Sequence, residues 1–269
     1  MRGYVGKSSY FCIAFEDGGD RLETPTPRAE KVSDRSGRRS ILHLDCGGSS
    51  FFKKMSMQEK KHVLIACERS QVECKAFLAA GFDAYSCDIL PCEGGRPDRH
   101  IMMDARLLLR GSSIDFITED GVCACVRHWD LLIAHPPCTY LSKVSSTALF
   151  HHEGGISIQR LMKMDEGRAL FYSFLDAPVQ CVAVENPRPM RRAMLPPCSQ
   201  EIQPYDFGHP WSKATRLWLK NLPPLLPTHA RYLQARQWVE YNGWRNARRR
   251  ELSFSGIADA MVIQWGSLI

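Results

Sequence analysis

Residues 129–142 read Trp-Asp-Leu-Leu-Ile-Ala-His-Pro-Pro-Cys-Thr-Tyr-Leu-Ser. From Trp129 to Ala134, five of six residues are apolar or aromatic, the pattern of a central strand covered on both faces. Pro136 and Pro137 then fix φ and remove two backbone donors, so neither strand nor helix continues through them. The chain therefore presents Cys138 at the carboxyl end of a strand, the edge where open α/β sheets bind ligands. A thiol held in a stiff loop there is a candidate nucleophile. The alternative is an inert buried cysteine after a proline turn, a common fate of free Cys.

The 269 residues suffice for one large α/β domain or two small ones, and 44% hydrophobic residues can fill a sizeable core. No stretch approaches the roughly 18 apolar residues of a membrane span. Residues 1–25 lack the order of a secretory signal, and the expected location is cytoplasmic. The 11 cysteines are scattered, with Cys123 and Cys125 the one close pair. No zinc-type spacing occurs, so the expectation is free thiols and no metal.

Net charge is +6 and unevenly spread. Residues 62–187 hold 11 Lys/Arg against 16 Asp/Glu, whereas residues 188–250 hold 12 against 3. An acidic part carrying Cys138 is thus followed by a strongly basic one. A basic stripe beside a pocket suits a polyanion such as nucleic acid, or is simply a solvated surface. Within residues 229–250, arginines alternate with Tyr232, Trp238, Tyr241 and Trp244, which suits stacking and phosphate contacts. An amphipathic surface helix is the alternative there.

Residues 1–61 are rich in Gly, Ser, Arg and acids, with weak periodicity. They read as a disordered leader or a start-site artefact, with the functional start near Met55 or Met57. His62 to Cys67 is the first strand. Ser70 is placed to cap a helix running to Ala80, with Val72, Phe77 and Leu78 inward. Phe82 to Cys87 is the second strand, closed by Asp88. Strand, turn, helix, strand and acid open a nucleotide-binding α/β fold, where the acid can accept both ribose hydroxyls. The turn lacks GxGxxG, which argues against NAD and toward an adenosine ligand without a diphosphate. Asp88 as an ordinary turn residue stays open.

His100 to Asp104 reads as a third strand with a terminal acid, and residues 105–128 as an irregular surface insertion. Thr139 to Gly155 reads as a polar loop, in which His151 and His152 have no third ligand. Ile158 to Asp176 is a helix with Leu161, Met162, Leu170, Phe171, Phe174 and Leu175 inward. Cys181 to Val184 is a buried strand ending in Glu185-Asn186-Pro187. Residues 202–208 and 217–220 read as short strands, with Lys213 to Arg216 in a turn between them. Leu222 to Thr228 reads as an extended linker, and Gly256 to Trp265 as a final helix.

Acids at 88 and 104, Pro-Pro-Cys at 136–138 and Glu-Asn at 185–186 thus fall at successive strand ends. In this order they resemble the cytosine-5 DNA methyltransferase family. The compact phage and prophage members are the nearer match, on ACERSQ, SCDIL, AHPPCTYL, VAVENP, IQPYDFGHPWSKATRLWLKNLPPL and FSGIADAMVIQWG. The resemblance runs from about residue 62 to 269. It implies an α/β, Rossmann-like class I methyltransferase domain with a mostly parallel sheet and helices on both faces. Its activity would be S-adenosyl-L-methionine-dependent methylation of cytosine C5 in duplex or single-stranded DNA, by a monomer.

By that resemblance Cys138, presented by Pro137, attacks C6. Glu185 holds N3 and the exocyclic amine, Asn186 braces the loop, and Arg216, with Lys213 as a second cation there, takes O2. Lys213, Thr215, Arg248, Arg249 and Arg250 contact the substrate. S-adenosyl-L-methionine lies against Cys67, Glu68, Ser70, Asp88, Ile89, Asp104 and Pro136, with Asp88 on the ribose and Asp104 on the adenine amine. The implied layout is a leader at 1–61, a catalytic domain at 62–220, a short basic substrate segment at 221–250 and a returning helix at 251–269. Three departures from the family stand out. The first turn has Gln71 where compact relatives carry Gly. Lys213 and Arg216 are spaced unlike the family's Gln-x-Arg-x-Arg. Residues 221–250 leave no room for a large target-recognition domain. Another Cys-initiated pyrimidine C5 modification, on RNA or a nucleotide, and a non-catalytic nucleic-acid-binding protein of the same fold are the alternatives.

Overall fold

A computed structural model describes residues 60–111, 113–149, 155–210, 212–229 and 253–269. The leader up to residue 59, the paired His151 and His152, and the aromatic-arginine stretch with Arg248, Arg249 and Arg250 lie outside the described residues.

The molecule is built on a seven-stranded sheet. In chain order its strands are β1 (His62–Ala66), β2 (Asp83–Asp88), β3 (His100–Met102), β6 (Leu131–Ala134), β7 (Cys181–Pro187), β8 (Gln200–Ile202) and β9 (Thr215–Lys220). Their spatial order is β3-β2-β1-β6-β7-β9-β8. The first five are mutually parallel, and β9 is antiparallel to both neighbours. Helices α1 (Val72–Ala79), α2 (Ile158–Leu175) and α3 (Ser255–Trp265) cover it. This is the mostly parallel, Rossmann-like α/β architecture expected from the sequence.

The continuous apolar runs of β1 and β6 are explained by a core on each face. Leu64, Leu132, Val182, Val184 and Trp218 pack with Phe171 and Phe174 of α2. Val63, Ile65, Leu131, Ile133, Ala183 and Leu217 pack with Phe77 of α1 and with Ala260, Met261 and Trp265 of α3.

Several local expectations are corrected. The insertion at 105–128 contains an antiparallel hairpin, β4 (Ile114–Ile117) with β5 (Cys123–Val126). Its apolar side is buried: the Phe116 ring stacks on Trp129 at 6.0 Å and meets Tyr85 edge-on at 4.9 Å. Trp129 is not part of β6; its indole donates to the Leu108 carbonyl at 2.8 Å. β3 ends at Met102, and Asp104 instead caps the following 3-10 turn. Residues 143–149, expected in a loop, form a 3-10 helix. Pro204, lacking an N–H, turns residues 204–207 into a 3-10 segment closed by Gly208 at φ 86, so only Gln200–Ile202 is a strand. The expected linker after Leu222 is packed: Leu222 and Leu225 are buried, and the Gln200 amide holds both the N–H and carbonyl of Leu225. On α2, Met162 faces solvent at 62% exposure while Met164 is buried.

Candidate active site

β6 and β7 run side by side with Ala134 opposite Val184. The next residues, His135 and Glu185, are therefore neighbours, and their side chains meet at 3.1 Å. The proline loop continues past them to half-exposed Cys138, whose carbonyl accepts from Leu141 and Ser142 N–H at 3.0 and 2.9 Å. Those two bonds close a tight turn directly after the thiol, and buried Leu141 anchors it. Asn186, buried at the end of β7, donates from Nδ2 to the Pro136 carbonyl at 3.3 Å. The structure thus brings together Pro136, Pro137, Cys138, Glu185 and Asn186. Oδ1 of Asn186 is buried and lacks a hydrogen bond.

β9 enters antiparallel to β7, and directly paired residues share a face. Glu185 is opposite Leu217, and Asn186 is opposite Arg216. Arg216 therefore lies on the far face from Glu185, where its Nε meets Glu201 at 3.0 Å. Arg188 forks onto the same carboxylate at 2.9 and 2.7 Å. Arg188 first, then Arg216, hold the Glu201 carboxyl down at about 2. The residues that face Glu185 are Lys213 and Thr215. Gln203 fixes their turn by accepting from the Lys213 N–H at 3.0 Å. The expectation of Arg216 beside Glu185 is corrected by the pairing register, which a turn read from sequence does not reveal.

Two residues here escaped the sequence reading. His135 joins Glu185 through Nδ1, and its Nε2 lies 3.5 Å from Oε1 of Glu73 on α1. Glu73 is 1% exposed. Behind it, Glu68 is also buried, at 3% exposure, and its Oε1 accepts from the Glu73 backbone N–H at 3.0 Å. Burial first, then the Glu73 charge, push the Glu68 carboxyl well above the usual carboxylate range. Burial alone would lower His135, but the charge of Glu73 and the bond to Glu185 raise it above 6.5. Burial alone would raise Glu185, but His135, Lys213 and Thr215 hold it below 4.5. The signal for His135 was available: it continues the alternation Leu131, Ile133, His135 on one strand face. Glu73 had none, being an acid on a helix whose apolar stripe is short.

The turn after β1 is strained. Cys67 and Gln71 both adopt left-handed backbone, at φ 59 and 57, which costs of order 1–3 kcal/mol each for non-glycine residues. Ser70 does not cap α1. The cap position falls on Gln71, and Glu68 Oε1 accepts instead from the Glu73 N–H at 3.0 Å and from the Ser70 hydroxyl at 3.4 Å. Buried Gln71 bonds Ser86 Oγ, the Arg96 carbonyl and the Arg96 N–H at 3.0, 2.8 and 2.9 Å. The Gln71 side chain thereby ties residues 94–96 over the turn. Gly94 sits so close that a Cβ would lie 2.5 Å from both Gln71 Cβ and the Ser70 carbonyl oxygen. Gly94→Ala is expected to cost about 1–3 kcal/mol by overpacking, measured as a lowered urea midpoint; an unchanged midpoint would contradict the tight seal.

Asp88 ends β2 and accepts from the Leu90 N–H at 2.9 Å; burial raises its carboxyl. Ile89 beside it is 50% exposed. Asp104 accepts from the Arg106 N–H and Nε, both at 3.0 Å, and this pairing lowers its carboxyl. Glu68 and Asp88 form an acceptor-rich edge around the Cys67 turn. Glu68 Oε2 and Glu73 Oε2 are buried without hydrogen-bond partners. Acceptors in that arrangement fit a ligand with a ribose diol and positive charge, as S-adenosyl-L-methionine has. Asp104 fits less well, because Arg106 already takes its oxygens.

No family model matches this chain, and no curated protein matches it. Among solved structures 35 chains match. One is a prophage-encoded E. coli protein described as a candidate DNA modification methyltransferase. It shares 13% identity with a TM-score of 0.35, over 60% of this chain and 46% of that one. This chain thus spans less than half of that protein's length, and a likeness this distant says nothing of what this chain acts on.

Among the described residues no group of three or more His, Cys, Asp or Glu is arranged to hold a metal, and no helix is long and apolar enough to cross a membrane. A cavity of about 730 Å³ is lined by Arg110, Ile114, Trp129, Tyr172 and Val179. Trp129 and Val179 precede β6 and β7, so it lies toward the opposite edge from Cys138.

Proposed function

We propose that the protein methylates cytosine C5 in DNA, using S-adenosyl-L-methionine and a covalent adduct between Cys138 and C6. The observation that carries this reading is the convergence of two strand ends. β6 presents the Cys138 turn, β7 presents Glu185, and the Asn186–Pro136 bond at 3.3 Å locks one to the other. A nucleophile and an acid–base group on rigid, adjacent strands are what addition to a pyrimidine requires.

Cytosine C5 is a poor nucleophile. Addition of the Cys138 thiolate to C6 turns C5 into the carbon of an enamine. Glu185, nearly buried, engages N3 and the exocyclic amine, and a proton delivered there neutralises the charge that addition pushes onto N3. Lys213, which the family resemblance set beside Arg216 at O2, takes that role with Thr215, since both face Glu185. Arg216 and Arg188, paired on Glu201, lie instead on the face toward α2 and stiffen the β8–β9 edge. Glu68, the Cys67 turn, Asp88 and Pro136 would hold the cofactor, which supplies an electrophilic methyl group on its sulfonium. The basic residues from 188 to 250 suit a phosphate backbone. A target base must leave the duplex to reach Cys138.

The test uses the full chain with S-adenosylmethionine labelled in its methyl group and with duplex DNA, single-stranded DNA and RNA. After digestion to nucleosides, label is expected in 5-methyldeoxycytidine. Label in N6-methyladenine or N4-methylcytosine, or only in RNA, would overturn the reading.

A further inference from the structure

Glu68, Glu73, His135 and Glu185 form one continuous line of titratable side chains from the β1 turn to the end of β7. The reaction as derived above uses Glu185 at the base and Glu68 at the cofactor, and leaves Glu73 and His135 between them without a part. His135 has a carboxylate on each side: Nδ1 hydrogen-bonds Glu185 Oε2 at 3.1 Å, and Nε2, buried and without a hydrogen bond, lies 3.5 Å from Glu73 Oε1. Three charged groups from three elements bear on it: Glu73 from α1, Glu185 from β7 and Lys213 from the turn before β9, with Glu68 lying behind Glu73. Lys213 opposes its charge, and the two flanking acids favour it. Isolated buried imidazoles shed their proton. This one is flanked by carboxylates on both ring nitrogens, the arrangement that keeps a proton in place.

The resting arrangement leaves a chemical gap. Glu185 is held ionised, yet N3 must gain a proton when the thiolate adds. A carboxylate without a proton source cannot provide it. On the reading that this is a cytosine C5 methyltransferase, we propose that His135 is a positioning residue that stores the proton for N3 and delivers it through Glu185. The proton leaves Nδ1 for Glu185, giving a neutral imidazole and a neutral carboxyl. The Cys138 sulfur then uses its electron pair to bond C6. The C5–C6 π pair moves to C4–C5, and the C4–N3 π pair takes the carboxyl proton at N3. Once C5 carries the methyl group, the C5–H proton passes to solvent water, its bonding pair restores the C5–C6 double bond, the C6–S pair returns to the sulfur, and N3 returns its proton to Glu185 and so to His135. Glu73, with Glu68 hydrogen-bonded behind it, keeps the imidazole charged between turnovers.

The experiment measures the rate of covalent adduct formation on a 5-fluorocytosine oligonucleotide, from pH 5 to 9 on the order of half-unit steps, with the full chain. His135→Asn keeps an amide donor toward Glu185 but cannot store a proton. It is expected to slow adduct formation roughly 100-fold at neutral pH, the low end of general acid catalysis. The deficit should narrow as pH falls and Glu185 takes its proton from water. In the wild type the rate should fall as pH rises through the His135 titration. Glu73→Gln, which preserves shape, should move that fall to lower pH. Unchanged binding of S-adenosylmethionine in His135→Asn, and an unchanged circular dichroism spectrum and urea midpoint in Glu73→Gln, check that the site is intact. A deficit of equal size at every pH, or an unaltered profile in His135→Asn, would overturn the relay while leaving the methyltransferase reading standing. Should His135→Asn not fold, an unshifted profile in Glu73→Gln overturns it instead. A wild-type chain that forms neither adduct nor 5-methylcytosine removes the parent reading, and the relay with it.

Discussion

Cys138→Ala will bind S-adenosylmethionine like the wild type and transfer no methyl group to DNA. The wild type, incubated with S-adenosylmethionine and an oligonucleotide carrying 5-fluorocytosine, should give a shifted band on a denaturing gel, because fluorine cannot leave C5 as a proton does. The band should vanish in both Cys138→Ala and Cys138→Ser. A serine hydroxyl is far less ionised than a thiol near neutral pH, so it does not replace the attacking thiolate. Loss of a covalent nucleophile removes most of an enzyme's rate enhancement, on the order of 10⁴-fold or more. The fold should survive, since Cys138 is half-exposed and the turn around it is held by backbone bonds to its carbonyl. Residual methyl transfer by Cys138→Ala above a few percent of wild type would sink the covalent mechanism.

The largest structural effect is expected at the other end of the chain. Trp265 is fully buried in the core formed with α1, and its indole donates to the Pro223 carbonyl at 3.0 Å. Trp265→Ala empties that site and leaves the Pro223 oxygen without its donor, at a cost of about 3–5 kcal/mol. A domain of this kind has only about 5–15 kcal/mol in hand, so the variant should lie close to unfolding at physiological temperature. Urea denaturation followed by circular dichroism measures this. A loss below about 1 kcal/mol would mean that α3 is not the lid of that core. The same experiment tests the packed path of residues 222–226, which α3 also holds through two Gln264 amide bonds to Leu226.

Much of the fold was legible because it is written in runs and stops. Val63 to Ala66 and Leu131 to Ala134 are apolar without interruption, and only a strand buried on both faces needs that. Pro136-Pro137 and Pro187 mark where strands end. The hairpin at 114–126 was hidden because its buried apolar positions, Ile114, Phe116 and Val126, are few and lie among Gly, Ser and Asp turn signals. Ser70 was read as a cap on residue type, but the competing acceptor two residues earlier, Glu68, reaches the helix N–H instead. The sequence alone located Pro137, Cys138, Glu185 and Asn186 at strand ends, since those positions follow from proline stops along the chain. The sequence alone also placed an acid, Asp88, at the end of β2.

Tertiary structure decided the rest, and in each case the reason is distance along the chain. His135 and Glu185 are 50 residues apart and meet only because β6 and β7 share a register. Glu73 reaches that pair from a helix on one face. Arg216 falls on the far face and Lys213 on the near one, because antiparallel pairing opposite Asn186 fixes the alternation of β9. A local pattern can say that a side chain sits at a strand's end. Which charges it meets there, and therefore what proton it carries, is set by neighbours that only the folded sheet supplies.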